Sequence, residues 1–354
     1  HTHLHVKLNL SSYEHLVATG PFTHAGVPSF AGISGGRTSA MMAALLDPKV
    51  ILCFENTGRE HEAILQFLLR LEEALGRQIF WLEWRPPPRR GDPPKMFGFE
   101  VVTYKTAHKR SGALFEGLLE ALADYRATKG LPPVVPHQGL RICTAYLKHR
   151  VQRAFMRACG IDLDDPQEQL VGLRADEPDR VARLAGMQTR ARSYRAPLSA
   201  AGIAKLDVRR LWSRQPFDLE IEHDRNGNCG ACFLKDDADR SRVLGEEWCD
   251  APWWIDLQHR YPGFGGNDRH SYAQLLHERP TRLAIEAALK AGIEPQTTGA
   301  STRGASSSSF GTSDGTWPGR PPRSRARARR RWGSARTRAP RKTIESRVPL
   351  DSVQ

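Results

Sequence analysis

Phe30-Ala31-Gly32-Ile33-Ser34-Gly35-Gly36-Arg37-Thr38-Ser39-Ala40, followed by Val50-Ile51-Leu52-Cys53-Phe54-Glu55-Asn56-Thr57-Gly58, decides the fold. A short apolar run ends in Ser-Gly-Gly, and a helix pattern starts at once. A second apolar run ends in Asn-Thr-Gly. Short apolar runs closed by small polar residues predict buried strands over 28–33 and 50–55, with a helix over 38–46 between them. A turn that wraps an anion cannot carry bulky side chains. Gly35 and Gly36 permit positive φ and close backbone approach. The N–H groups of such a loop, and of the helix after it, can point at phosphate oxygens. Ser34, Thr38 and Ser39 add hydroxyls and Arg37 a charge. An ordinary glycine turn between strand and helix would carry the same glycines. The loop has neither Gly-x-x-x-x-Gly-Lys nor Gly-x-Gly-x-x-Gly, so it follows neither the P-loop NTPase nor the dinucleotide pattern.

Working outward, Ala63, Ile64, Phe67, Leu68, Leu71 and Leu75 fall at three- and four-residue steps and predict an amphipathic helix over 59–75, ended by Gly76. A third strand is expected over 78–84, and a Pro/Arg loop over 85–94. A short strand over 99–104, helices over 111–128 and 146–159, and an apolar strand over 169–173 follow. Alternating strands and helices predict an α/β fold, a parallel twisted sheet with helices on both faces. Ligands of such sheets sit at the carboxyl ends of the strands. Ser34, Asn56 and Arg174 each follow a strand end, which joins them into one candidate site.

At these residues a resemblance emerges. Ser34-Gly35-Gly36-Arg37-Thr38-Ser39 resembles the PP-loop, Ser-Gly-Gly-x-x-Ser, of the adenine nucleotide α-hydrolase superfamily, and within it most closely the phosphoadenosine phosphosulfate (PAPS) reductase family. Asn56-Thr57-Gly58 with Glu60-His61-Glu62, and Arg141-Ile142-Cys143-Thr144-Ala145-Tyr146-Leu147-Lys148, are similar to later family segments. So are Gly172-Leu173-Arg174-Ala175-Asp176-Glu177 with Arg180 and Arg183, and Pro197-Leu198, Asp207-Val208 and Trp212. The resemblance covers roughly residues 28–220. It implies an adenine nucleotide α-hydrolase-like fold and a nucleotide, ATP or PAPS, held by Ser34 to Ser39, Asn56, Thr57, Gly58, Glu177 and Arg180. It implies catalytic roles for Cys143, Lys148 and Arg174. The reaction is either sulfonucleotide reduction or ATP-dependent adenylation leading to thiolation. The chain lacks the family's C-terminal Glu-Cys-Gly-x-His motif and the paired Cys-Cys of its cluster-bearing members.

Cys229-Gly230-Ala231-Cys232 is the second sharp feature. Two cysteines three apart suit a metal ion, a cluster or a redox dithiol. Cys143 and Cys249 bring the candidate ligands to four. By analogy with relatives of the resembled family, a [4Fe–4S] cluster is one reading, zinc a second, and a redox or structural pair a third. Cys53 and Cys159 read as packing residues. Glu55 and Glu60 suit Mg²⁺ held through water, or a favourable charge at the next helix start.

The chain has 354 residues and a net charge of +13, but residues 296–354 hold 13 Lys and Arg against 3 Asp and Glu. The basicity therefore belongs to a Ser/Gly/Pro/Arg-rich tail too poor in apolar residues to fold, which reads as a nucleic-acid-binding arm, a solvated disordered tail or out-of-frame sequence. Four regions are expected: an N-terminal extension over 1–27, a nucleotide-binding domain over 28–220, a cysteine- and Trp-containing helical extension over 221–295 with its last helix over 281–291, and the tail over 296–354. No 18-residue apolar run and no signal-peptide pattern occur, and the six cysteines form no disulfide framework, so a reduced cytoplasm is expected. The expected partners are the nucleotide, a thiol reductant or sulfur donor, a nucleic-acid acceptor and a second copy of the chain, with no membrane.

Overall fold

The computed structural model describes residues 7–222, 226, 227, 229–266, 270–280 and 283. The tail from 296 and, apart from Leu283, the helix expected over 281–291 lie outside the described residues.

The first apolar run forms β1 (Ser29–Gly32), and the helix after the glycines is α1 (Arg37–Leu45). The second run is β2 (Ile51–Glu55), followed by α2 (Glu62–Leu75). His61 caps α2 by accepting the Ala63 N–H at 3.0 Å, and Gly76 ends it in the left-handed conformation, φ +58°. Then come β3 (Ile79–Arg85), β4 (Gly98–Val102) and α3 (Ala113–Ala127). The helix expected over 146–159 begins as one π-helical stretch, Thr144–His149, that runs into α4 (Arg150–Ala158). Next are β5 (Gln167–Leu170), α5 (Pro178–Ala185) and β6 (Arg192–Arg195). The short α6 (Pro197–Ala200) and α7 (Lys205–Trp212) complete the part around the sheet.

The six strands lie in the order β4-β3-β2-β1-β5-β6. All neighbours are parallel except β4, which pairs antiparallel with β3. Alternation along β2 and β3 sends Leu52, Phe54, Ile79 and Trp81 to one face, where α1, α2 and α7 cover them. Cys53, Leu82 and Trp84 go to the other, under α3 and α4. The chain is thus α/β, with a six-stranded, mostly parallel sheet and helices on both faces.

The residues before β1 pack onto this body rather than trailing from it. Phe22 is fully buried, and Arg195 donates to the carbonyls of Pro21 at 2.8 Å and Thr23 at 2.7 Å. The segment after 220 adds α8 (Asp237–Leu244), α9 (Ala251–Arg260) and α10 (Tyr272–His277). Their Val243, Trp254, Leu257, Tyr272 and Leu275 join the core on the α3/α4 face.

Candidate functional site

The loop between β1 and α1 is shaped by one glycine. Gly35 has φ +74°, and a Cβ there would stand 2.2 Å from Ile64 Cγ2. Gly36 differs from the sequence expectation: its φ is −90° and the nearest neighbour of an added Cβ is 3.6 Å away, so it serves close approach rather than a positive φ. Ser39 is buried and braces the turn, accepting the Ser34 N–H at 3.1 Å and donating to the Gly36 carbonyl at 2.9 Å. It has no hydroxyl left for a ligand beyond its 3.1 Å contact with Ser34 Oγ. Ser34 is exposed.

Arg37 lines the cavity beside this loop, but its guanidinium is engaged. Its guanidinium meets Asp218 through two bonds, 2.7 and 3.0 Å, and donates to the Leu219 carbonyl at 2.6 Å. Its own carbonyl accepts from Trp212 Nε1 at 2.9 Å. Arg37 therefore clasps the 218–219 segment against α1. Arg174 does reach the loop: Nη1 donates to Thr38 Oγ1 at 3.2 Å, while Asp176 takes Nε at 2.9 Å. Glu177 accepts the Arg174 N–H at 3.1 Å and pairs with Arg180. Gly172 lets this segment pass close, since a Cβ there would be 3.3 Å from Ser39 Cα.

These parts enclose a cavity of about 410 Å³ at the carboxyl ends of β1 and β5, lined by Ser34, Gly36, Thr38, Arg174, Arg180 and Lys205 among others. The start of α1 opens into it. No side chain caps α1 and no acid lies in its first turn, so its first N–H groups and positive dipole end face the cavity.

Asn56, Thr57 and Gly58 do not line this cavity. Asn56 is fully buried and donates to Glu83 Oε1 at 2.6 Å and the His108 carbonyl at 2.9 Å. Thr57 donates to Glu60 Oε1 at 2.7 Å and lies 3.2 Å from Cys229 Sγ. Gly58 has φ +77°, and a Cβ there would stand 2.8 Å from the Ser111 carbonyl. The Asn-Thr-Gly turn is thus tied into the body of the protein through Glu83, the His108 carbonyl and Glu60. Glu60 is 3% exposed and accepts from Thr57 and Arg59, which leaves it no place for Mg²⁺. Glu55 instead lines a second cavity.

The turn leads to the cysteines. Cys229 bridges to Glu60 through the backbone, and the Gly230 N–H donates to the Arg59 carbonyl at 3.0 Å. Cys143, Cys229 and Cys232 lie within electrostatic reach of one another and of Lys148. A Cβ on Gly230 would stand 3.2 Å from Cys249 Sγ. Burial pushes the thiols of Cys143, Cys229 and Cys249 up to about 11, and that of Cys232 upward as well. Burial alone would lower the Lys148 ammonium, but Cys229, Glu60, Glu55 and Cys143 outweigh it and raise it. Reactive cysteines need the opposite environment, so an activated Cys143 nucleophile is not what these surroundings provide. Among the described residues no group of three or more His, Cys, Asp or Glu is arranged to hold a metal ion.

Sequence reasoning missed Arg59. It is 3% exposed, donates to the Cys249 carbonyl at 2.6 Å and stacks 4.1 Å over the Trp253 ring. The only local signal was its place between the Asn-Thr-Gly turn and a helix. Among the described residues, no helix is long and apolar enough to cross a membrane.

No family model matches the chain. No solved structure matches it. It is 29% identical over 209 residues to the uncharacterized nin region protein ORF290 of Escherichia phage lambda, over 57% of this chain. The chain spans 64% of the length of that curated relative.

Proposed function

We propose that this chain is a PAPS reductase-like, PP-loop enzyme that binds an adenine nucleotide, ATP or PAPS, at the Ser34–Ser39 loop and acts in sulfur chemistry. The observation that carries the reading is the uncapped start of α1 opening into a cavity bordered by Arg174, Arg180 and Lys205. Orphan N–H groups and a positive helix end favour a phosphate or sulfate there. Ser34 and Thr38 supply hydroxyls, and Arg174, held on Thr38, sets the charge beside them. In the ATP version an acceptor attacks the α-phosphorus and pyrophosphate leaves; the helix end and Arg174 stabilise the charge that develops on the leaving oxygens. In the sulfonucleotide version the same groups hold the phosphosulfate and an external thiol supplies the electrons.

One observation favours a second reading, a nucleotide-binding module without turnover: the thiols near the site are held protonated by burial. Thermal unfolding of the full chain with ATP, adenosine phosphosulfate and PAPS tests the proposal. A ligand at about 100 times its Kd adds roughly 2.7 kcal/mol. Stabilisation by ATP alone selects adenylation, and by the sulfonucleotides alone, reduction. No shift with any of them refutes the nucleotide site. Stabilisation without turnover selects the binding module.

A further inference from the structure

A second cavity, about 420 Å³, adjoins the first on the α4 side of the sheet edge and shares Gly32, Val171, Leu173 and Arg180 with it. Its wall includes Arg141, Lys148, Arg153, Arg183 and Arg192, and its one acid is Glu55. Arg141, Arg153 and Arg192 have no carboxylate within ion-pair distance among the described residues, whereas Lys148 lies in the field of Glu60 and Glu55. Arg192 finds only Tyr194 Oη, at 3.4 Å. Instead the cations face one another. Burial and then Arg192, Arg157 and Arg150 push Arg153 down, and burial with Lys148, Arg192 and Arg153 does the same to His149. Proteins seldom gather unpaired cations in a cleft without an anion to neutralise them, because each pair costs repulsion and desolvation.

The charge does not stop at the mouth. Residues 141–157 hold five Lys and Arg and no Asp or Glu. Arg150, Arg153 and Arg157 are exposed and stand at i, i+3 and i+7 on α4, along one face of the helix. At 1.5 Å per residue that row spans about 10 Å, roughly three nucleotides of a strand at 3.4 Å each. A single phosphate or pyrophosphate would need the cavity but not the row. Arg150 also stacks 4.6 Å over the Tyr146 ring, a flat surface of the kind on which bases stack.

We infer that the cavity walled by Arg141, Lys148, Arg153 and Arg192, with the arginine row of α4, holds the phosphodiester backbone of a single-stranded nucleic acid. The cavity's shared border with the loop cavity makes this strand the acceptor that attacks the α-phosphorus of ATP, so that a bond to the adenylate forms as the bond to the leaving pyrophosphate breaks; that last step rests on the ATP version of the nucleotide reading above, whereas the binding does not. The cations bind through charge, so the contact is not sequence-specific.

The test uses the full chain, tail included, and a fluorescent 12-nucleotide single strand read by anisotropy across a salt series. Wild type binds with a steep salt dependence. R153Q/R192Q weakens the strand about tenfold or more and flattens the log–log salt slope by about 1.4, near 0.7 for each phosphate no longer neutralised. R150Q/R157Q weakens the strand but leaves inorganic pyrophosphate binding, followed by calorimetry, unchanged. Strand binding equal to wild type in R153Q/R192Q assigns it to other basic residues and overturns the inference. Pyrophosphate binding with no dependence of the strand on Arg150 and Arg157 reduces the cavity to a small-anion site and also overturns it. Unfolding temperatures of both variants confirm that they are folded, and their ATP-induced shifts separate the two proposals. No shift with ATP, adenosine phosphosulfate or PAPS in wild type, with strand binding intact, sinks the nucleotide reading alone. An intact shift without strand binding sinks this one alone.

Discussion

Gly35→Ala and Gly36→Ala, adjacent and chemically identical changes, are expected to part company. At position 35 the methyl group would meet Ile64 Cγ2 at 2.2 Å and Leu68 Cδ1 at 3.2 Å, on a backbone with φ +74°. A left-handed alanine costs about 1–2 kcal/mol. Forcing a methyl into a packed core adds about 1–3 kcal/mol. Both partners are core residues of α2, 1% and 0% exposed, so neither can swing aside into solvent. The sum is a loss of about 2–5 kcal/mol for Gly35→Ala. At position 36 the φ is −90° and the nearest neighbour of the methyl is Ser34 Oγ at 3.6 Å. There the change costs only the poorer fit of alanine at the α1 N-cap, about 1 kcal/mol. The same methyl would project at the cavity that opens on the α1 N-terminus, so nucleotide affinity should fall. Urea denaturation gives the first quantity, and the nucleotide-induced shift in unfolding temperature gives the second. Equal destabilisation by the two substitutions would refute the division of labour between the glycines. A stable Gly36→Ala protein with undiminished nucleotide binding would place the phosphate elsewhere.

Glu55 is held near 7, raised mainly by burial against the opposing pull of Lys148. The folded state therefore keeps a proton that the unfolded chain releases near 4.5, and stability falls with rising pH between the two values, by up to about 3 kcal/mol. Glu55→Gln should remove that slope between pH 5 and 7 in urea titrations; an unchanged slope would show that Glu55 ionises normally. Arg37 and Asp218 should couple by about 1 kcal/mol in a double-mutant cycle of unfolding, since their side chains are 20% and 40% exposed; additivity would mean that the clasp contributes nothing. Thiols near 11 are about 0.1% thiolate at pH 8, against roughly a quarter for an ordinary cysteine. Exposed Cys159, although its thiol is also raised by burial, should take iodoacetamide first, with Cys143 and Cys229 slower by mass spectrometry. Equal rates would restore the activated-cysteine reading.

Central strands were legible because a strand buried on both faces is written as an apolar run. β1, β2 and β3 fall within one or two residues of their expected ends. β6 escaped because Arg192-Ser193-Tyr194-Arg195 is an edge strand with polar side chains, and no period distinguishes it from a loop. The short α5, eight residues long, carries too few large apolar positions for a helical stripe to stand out. The site shows the same limit more sharply. Asn56 looked like a ligand because it follows a strand, but Glu83, 27 residues away, already takes its amide. Arg37 looked like a phosphate donor until Asp218, 181 residues on, claimed it. Whether a polar side chain is spent on structure depends on its partner, and a partner far along the chain leaves no local signal.

Strand order explains why two cavities lined by basic residues share one edge. The sheet reads β4-β3-β2-β1-β5-β6, so the chain moves one way from β1 to β2 and β3, then crosses back to β5 on the other side of β1. At such a switch the segments leaving neighbouring strands part, and a crevice opens between them. The segment after β1 turns into α1 on the face of Leu52 and Phe54, whereas α4, leading into β5, lies on the face of Cys53 and Leu82. The crevice between β1 and β5 is therefore reached from both faces. Gly32 lies on the border of both cavities, and a Cβ there would find nothing nearer than Gln169 Nε2 at 3.9 Å. Glycine leaves this gap open where most residues would fill it. A nucleotide entering from the α1 side and a strand lying on the α4 side would thus meet at the Gly32 end of β1, with Arg180 on the rim of both cavities. The separate supply of charge to each side, Arg174 and Lys205 on one and Arg153 and Arg192 on the other, is what two anions meeting end to end require.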